Sequence, residues 1–196
     1  MIYNTLLCIG DSLTFGARDE FNRGYPAELS SYLNKIDPSQ FWMVINEGVN
    51  GRRSGDLLRV LPHLLMHPEA QAVLIEIGTN DCVDQLPLDL YRDNIFQILK
   101  TCQCCQSPFN QVYRYKRKIL VGSLISLEGF GLLYYGKEGQ ELLVKYNEIL
   151  KEITKEFGVP LVDLTPLAKY RIDACHLNNA GYKEMARLFG EEILRI

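Results

Sequence analysis

Short runs of apolar, largely β-branched residues recur along the chain at positions 4–9, 41–46, 72–77, 118–123 and 160–163. Between them, apolar residues return every three or four positions over 25–36, 55–66, 88–102, 140–157 and 179–195, the spacing of a helix with one buried stripe. Strand and helix therefore alternate. The strands are too uniformly apolar to keep one face wet, so the pattern predicts a parallel sheet covered by helices on both sides. Right-handed crossovers leave few topologies, and five strands fit the order 2-1-3-4-5, a flavodoxin-like three-layer α/β/α sandwich with a five-stranded parallel sheet. At 196 residues the chain is expected to fold as a single domain over positions 1–196.

In such a sheet the working site forms beyond the carboxyl ends of the strands, near the switch in strand order. The turns after the strands are where chemistry is expected. Gly10-Asp11-Ser12-Leu13 succeeds the first strand, Asn46-Glu47-Gly48-Val49-Asn50-Gly51 the second and Gly78-Thr79-Asn80-Asp81 the third. The predicted order makes these three strands neighbours, so Ser12, Gly48 and Asn80 are expected to converge. His176, in Asp173-Ala174-Cys175-His176, would be brought to them by the loop before the last helix.

Composition narrows the classes. Hydrophobic residues at 47% and charged residues at 23% are those of an ordinary globular protein, and the net charge of −3 argues against a general nucleic-acid binder. The basic run Arg114-Tyr115-Lys116-Arg117-Lys118 reads as a solvated approach guarding the apolar strand after it, rather than as a single-strand binding surface. The six cysteines cluster in a way unlike a secreted disulfide framework. Neither a signal peptide nor a membrane span is apparent, and a cytoplasmic protein with free thiols is expected. No metal or other cofactor is expected: Cys102, Cys104 and Cys105 lack a matching Cys/His pair, and His63 and His67 share a helix face without a third ligand.

A serine hydroxyl becomes nucleophilic when a base takes its proton, and histidine suits that role near neutrality. Asp173 precedes His176 by three residues, so one tight turn can hold its carboxylate against Nδ1 and leave Nε2 facing the serine. Negative charge developing on a carbonyl oxygen needs preorganised donors. The Ser12 and Gly48 amides and the Asn80 side chain would supply them. Each residue alone also has a structural reading, as a helix cap, a turn residue or a glycine required by backbone geometry. Asp11 and Asp81 read as caps or supporting acceptors, and Asn46 as a brace for the glycine turn.

Taken together, Gly10-Asp11-Ser12-Leu13, Asn46-x-Gly48-x-x-Gly51, Gly78-x-Asn80-Asp81 and Asp173-x-x-His176 resemble the blocks of the SGNH/GDSL hydrolase family over positions 6–181. The resemblance implies Ser12 as nucleophile, His176 as base, Asp173 as its orienter, and Ser12, Gly48 and Asn80 as oxyanion donors. It also implies metal-free hydrolysis of small acyl esters through an acyl-enzyme, with a thioesterase or lysophospholipase of the same chemistry as the alternative. A non-enzymatic module holding an anion on its glycine turns would leave Asp173 and His176 without a purpose. Two expectations concern substrate. Arg52 could grip a carboxylate or phosphate on it, or be simply solvated, and the glycine-punctuated connection at 126–137, with Phe130 and Leu132, could wall the acyl pocket or pack as core.

Overall fold

The computed structural model describes residues 2–21, 23–66, 70–104, 116–126 and 137–196. Its strands are β1 (Ile2–Gly10), β2 (Gln40–Gly48), β3 (Ala70–Glu76), β4 (Lys118–Gly122) and β5 (Leu161–Val162), all parallel and ordered β2-β1-β3-β4-β5. This is the architecture the pattern predicts. Leu6, Leu7, Cys8 and Ile9 on the central β1 are fully buried, as both faces of an interior strand must be.

Alternate residues of β1 serve opposite layers. Leu7 and Ile9 pack with α3 (Ser54–Leu64), α5 (Leu88–Cys104) and α6 (Lys137–Phe157), through Leu57, Ile95 and Ile149 among others. Leu6 and Cys8 pack with α2 (Gly24–Ile36) and α7 (Asn179–Arg195), through Leu29, Met185 and Phe189. Strand and helix bounds differ from expectation by a few residues. The short elements α1 (Ser12–Phe15), α4 (Thr79–Val83) and the 3₁₀ helix Thr165–Tyr170 are additional, being too brief to show a helical period.

Register positions the site. Gly10 lies opposite Gly48 on one side and Glu76 on the other, so β1, β2 and β3 end side by side. The turns leaving them start from one short line. Among the described residues no helix is long and apolar enough to cross a membrane. Cys8, Cys82, Cys102, Cys104 and Cys175 are free. His67, Cys105, Phe130 and Leu132 lie outside the described residues, so the expectations placed on them are untested.

Candidate active site

Ser12 opens α1 directly after β1, and the Asp11 carboxylate caps that turn by accepting the Leu13 N–H at 3.0 Å. Across the cleft, the segment between the 3₁₀ helix and α7 closes on itself. Arg171 and Leu177 form an antiparallel bridge, Ile172 N–H donates to the His176 carbonyl at 3.0 Å, and Asn178 N–H donates to the Tyr170 carbonyl at 2.9 Å. Within this loop Asp173 meets His176: Nδ1 lies 2.9 and 3.0 Å from the two carboxylate oxygens. The other ring nitrogen, Nε2, lies 3.0 Å from Ser12 Oγ. A proton on Nδ1, held by the carboxylate, leaves Nε2 as the acceptor for the serine O–H.

Asp173 is richly supplied with donors. The backbone N–H groups of His176 and Cys175 reach it at 2.8 and 3.1 Å, and Arg18 Nε at 3.1 Å. Burial pushes its carboxyl up, but these hydrogen bonds outweigh burial and hold it well below the usual carboxylate range. Arg18 has a positive φ of 68°, uncommon for a side chain of its size, and lines the same cleft.

That cleft, about 410 Å³, is bordered by Ser12, Asn50, Gly51, Asn80 and His176. Gly48 does not border it. Its N–H is committed to the Asn46 side-chain oxygen at 2.9 Å, and a Cβ at position 48 would come within 2.1 Å of the Phe15 nitrogen. This glycine lets β2 approach the Ser12 turn closely. The expected oxyanion role therefore does not fit Gly48, and the cleft offers Gly51 in its place. Val49 to Arg52 form a tight turn closed by Arg52 N–H to the Val49 carbonyl at 3.1 Å, with Gly51 third at φ 74°, a conformation that favours glycine. Among the described residues the Gly51 N–H has no acceptor.

Asn80 borders the cleft from the first turn of α4, its side-chain NH₂ donating to the Arg52 carbonyl at 3.0 Å and, more weakly, to Asp11 Oδ2 at 3.4 Å. Asp81 caps the helix beyond the glycine loop, accepting the Ser54 N–H at 2.9 Å and its hydroxyl at 2.5 Å. Asn46 accepts the Gly48 N–H, and its NH₂ reaches the Phe15 and Arg23 carbonyls at 3.4 Å.

Arg52 does not extend towards a substrate. Its guanidinium turns inward, Nη1 donating to the carbonyls of Glu47 at 2.5 Å and Gly10 at 3.3 Å, so it fastens the ends of β1 and β2 together. Among the described residues, Arg18 is the arginine that borders the cleft instead. Among the described residues, the one group of three metal-capable side chains is Asp173, Cys175 and His176. Cys175 Sγ lies 3.6 and 3.8 Å from the two ring nitrogens. Near-equal distances put the sulfur over the ring face, away from the in-plane lone pairs through which imidazole binds a metal.

The model of the GDSL-like Lipase/Acylhydrolase family matches residues 8–184. An arylesterase of Vibrio mimicus is 32% identical over 94 residues, 48% of this chain and 46% of that protein. The Thioesterase 1/protease 1/lysophospholipase L1 of Escherichia coli strain K12 is 27% identical over 161 residues, 81% of this chain and 65% of that protein. The chain thus spans less than two thirds of the length of either curated relative. In three dimensions, an acetylxylan esterase from Geobacillus stearothermophilus superposes with a TM-score of 0.77 over 97% of this chain and 94% of that one, at 23% identity. At that identity the likeness is one of fold.

Proposed function

Because the chain belongs to the GDSL-like lipase/acylhydrolase family, we propose that it is a serine hydrolase that cleaves small acyl esters through an acyl-enzyme, within one domain. The observation that carries this reading is the relay from Ser12 Oγ through His176 to Asp173, with contacts of 3.0 and 2.9 Å. In the forward step the Ser12 oxygen bonds to the substrate carbonyl carbon while His176 Nε2 takes the hydroxyl proton. The carbonyl oxygen becomes an oxyanion facing the Ser12 and Gly51 N–H groups and the Asn80 NH₂. Collapse expels the alcohol, which receives the proton from His176. Water then repeats the sequence on the acyl-Ser12 ester, releasing the acid and restoring the serine. Every proton that moves is carried by His176, and Asp173 keeps its charge throughout.

The described lining favours a short acyl group and a polar leaving group. Ala17, Asn50 and Gly51 are small or polar, and Arg18 adds a cation at the margin. The arylesterase relative supports the ester reading. The relative matched over 81% of this chain, named as a thioesterase and lysophospholipase, supports thioesters or lysophospholipids as the second reading. The free cysteines support residence in a reducing compartment.

One panel tests both readings. Acyl esters and acyl thioesters of rising chain length are assayed with wild type and Ser12→Ala, alongside intact-mass analysis after fluorophosphonate treatment. The expected result is a single adduct on wild type, none on Ser12→Ala, and turnover that vanishes with the serine and falls with acyl length. A wild type that turns over substrate without forming an adduct rejects the serine mechanism. A rate ratio favouring thioesters transfers the assignment to the second reading.

A further inference from the structure

The site rests on a buried acidic pair that its chemistry leaves unexplained. Glu76 ends β3, fully buried on the face that carries Leu6, Cys8 and Leu74, and its register partner on β1 is Gly10, two residues before the nucleophile. Among the described residues no donor reaches either oxygen of its carboxyl. Its neighbour is another carboxyl, that of Asp11. Two carboxylates in contact repel, and each is purely an acceptor. One proton turns the same contact into a hydrogen bond, as in other buried acid pairs.

The surroundings decide which partner carries that proton. Asp11 accepts the Leu13 N–H at 3.0 Å and the Asn80 NH₂ at 3.4 Å, and a positive charge on His176 acts in its favour. Glu76 has no such support. The titratable groups facing it are Asp11 itself, Tyr25 on α2, Tyr91 on α5, Tyr182 on α7 and Cys175 on the Asp173 loop, while Asp81 acts on Asp11. Burial pushes all four of these phenol and thiol groups upward, so they too stay neutral, and no cation is among them.

We propose that Glu76 is a neutral carboxylic acid that donates a hydrogen bond to Asp11 and so positions the two groups Asp11 holds, the Ser12 turn and the Asn80 amide. The inference rests on the hydrolase reading for its consequence, and for its proton on the burial of Glu76, its two unpartnered oxygens and the donors that reach Asp11. Burial raises both groups, Glu76 well above the ordinary carboxylate range and Asp11 to about 6. The shared proton leaves one charge spread over the pair. A single diffuse charge holds Asn80 loosely enough for its second N–H to turn to a developing oxyanion. A second full charge below that oxyanion would oppose its formation. Glu76 touches no reacting atom in this scheme; it is a positioning residue.

Glu76→Gln and Glu76→Leu separate the possibilities. An amide N–H can donate the same bond to Asp11, so Glu76→Gln should keep kcat within about twofold, whereas Glu76→Leu should lose roughly tenfold in kcat with KM nearly unchanged, the size of effect expected for one lost hydrogen bond. Equal kcat for the two variants, or a loss in KM alone, would overturn the positioning role. The second arm reads the proton without any substrate. Thermal melts of Glu76→Gln and wild type are compared from pH 5 to pH 8, and the melting temperature of the variant relative to wild type should climb steadily with pH. A flat difference would overturn the neutral acid, and this arm decides the matter if Glu76→Leu does not fold. Because it needs no catalysis, failure of the hydrolase reading would show in the substrate panel and leave the melting result standing.

Discussion

Two carboxyl groups near Ser12 live in opposite environments. Asp173 sits at the cleft margin, half-buried, with donors from the His176 and Cys175 backbone, the His176 ring and Arg18. Glu76 lies beneath the floor, fully buried, with none among the described residues. Hydrogen bonds hold the first well below the ordinary carboxylate range, and burial pushes the second well above it. Burial acts in the same direction on both, so what separates them is the supply of donors. In this molecule an acid's role follows from the N–H groups the fold points at it.

The largest effect should come from removing the charge on the donor-rich side. Asp173→Asn keeps the shape of the side chain but allows the amide to donate to Nδ1, which leaves Nε2 carrying the proton and unable to act as base. A fall in kcat of roughly 10⁴, from triad behaviour in general, is expected at neutral pH. A variant retaining a tenth of wild-type kcat would show that the carboxylate is dispensable and that the comparison is one of structure only.

Stability as a function of pH should set the two acids apart by sign. The carboxyl of Asp173 is lowered on folding from an ordinary 3.8. Its contribution is therefore present above that value and lost as pH falls through the folded-state pKa. Glu76 is raised well above an ordinary 4.5, so the unfolded chain releases a proton that the folded chain must take up again, and stability is lost as pH rises above that value. Chemical denaturation should find Asp173→Asn less stable than wild type at pH 7, with the gap narrowing only as pH falls below the ordinary 3.8. The gain of Glu76→Gln should instead open between pH 5 and pH 8. Parallel curves for the two variants would erase the distinction between the two acids.

The smallest effect tests one donor among several. Arg18 is well exposed and its ion pair with Asp173 is screened by solvent, so Arg18→Ala should change kcat by no more than about threefold and the melting temperature hardly at all. A change in KM that depends on negative charge in the substrate would give Arg18 a recognition role beyond its contact with Asp173.

The sheet order and the meeting of Ser12, Asn80, Asp173 and His176 were legible because each rests on a short-range pattern joined to a rule of topology. A strand leading into a glycine turn specifies where its next residues go. Distinguishing Gly48 from Gly51 needed more, since both lie in one glycine-rich turn and the sequence does not say which amide is already spent. The Asn-Gly pair at Asn50-Gly51, a frequent turn signal, was the available clue. Arg52 looked free because nothing in the sequence shows that its guanidinium folds back onto the Glu47 and Gly10 carbonyls. Glu76 gave no sign at all. In Val73-Leu74-Ile75-Glu76-Ile77 it reads as a polar residue at the end of an apolar strand, and its partner Asp11 is distant in sequence.

The bridge between Arg171 and Leu177 gives the loop that carries Asp173 and His176 a closure of its own. Asp173 and His176 are thereby a cassette, whose internal fit is set within a few residues of chain. The long stretch between Asp81 and Asp173 can gain or lose length without altering how carboxylate and imidazole face each other, provided the cassette still docks beside Ser12. Selection on substrate can then act on those intervening connections while the proton relay is inherited as a unit. The same insulation makes the Ser12–His176 contact the one adjustable joint in the relay, and the place where a shift of the loop would first be felt as a loss of rate.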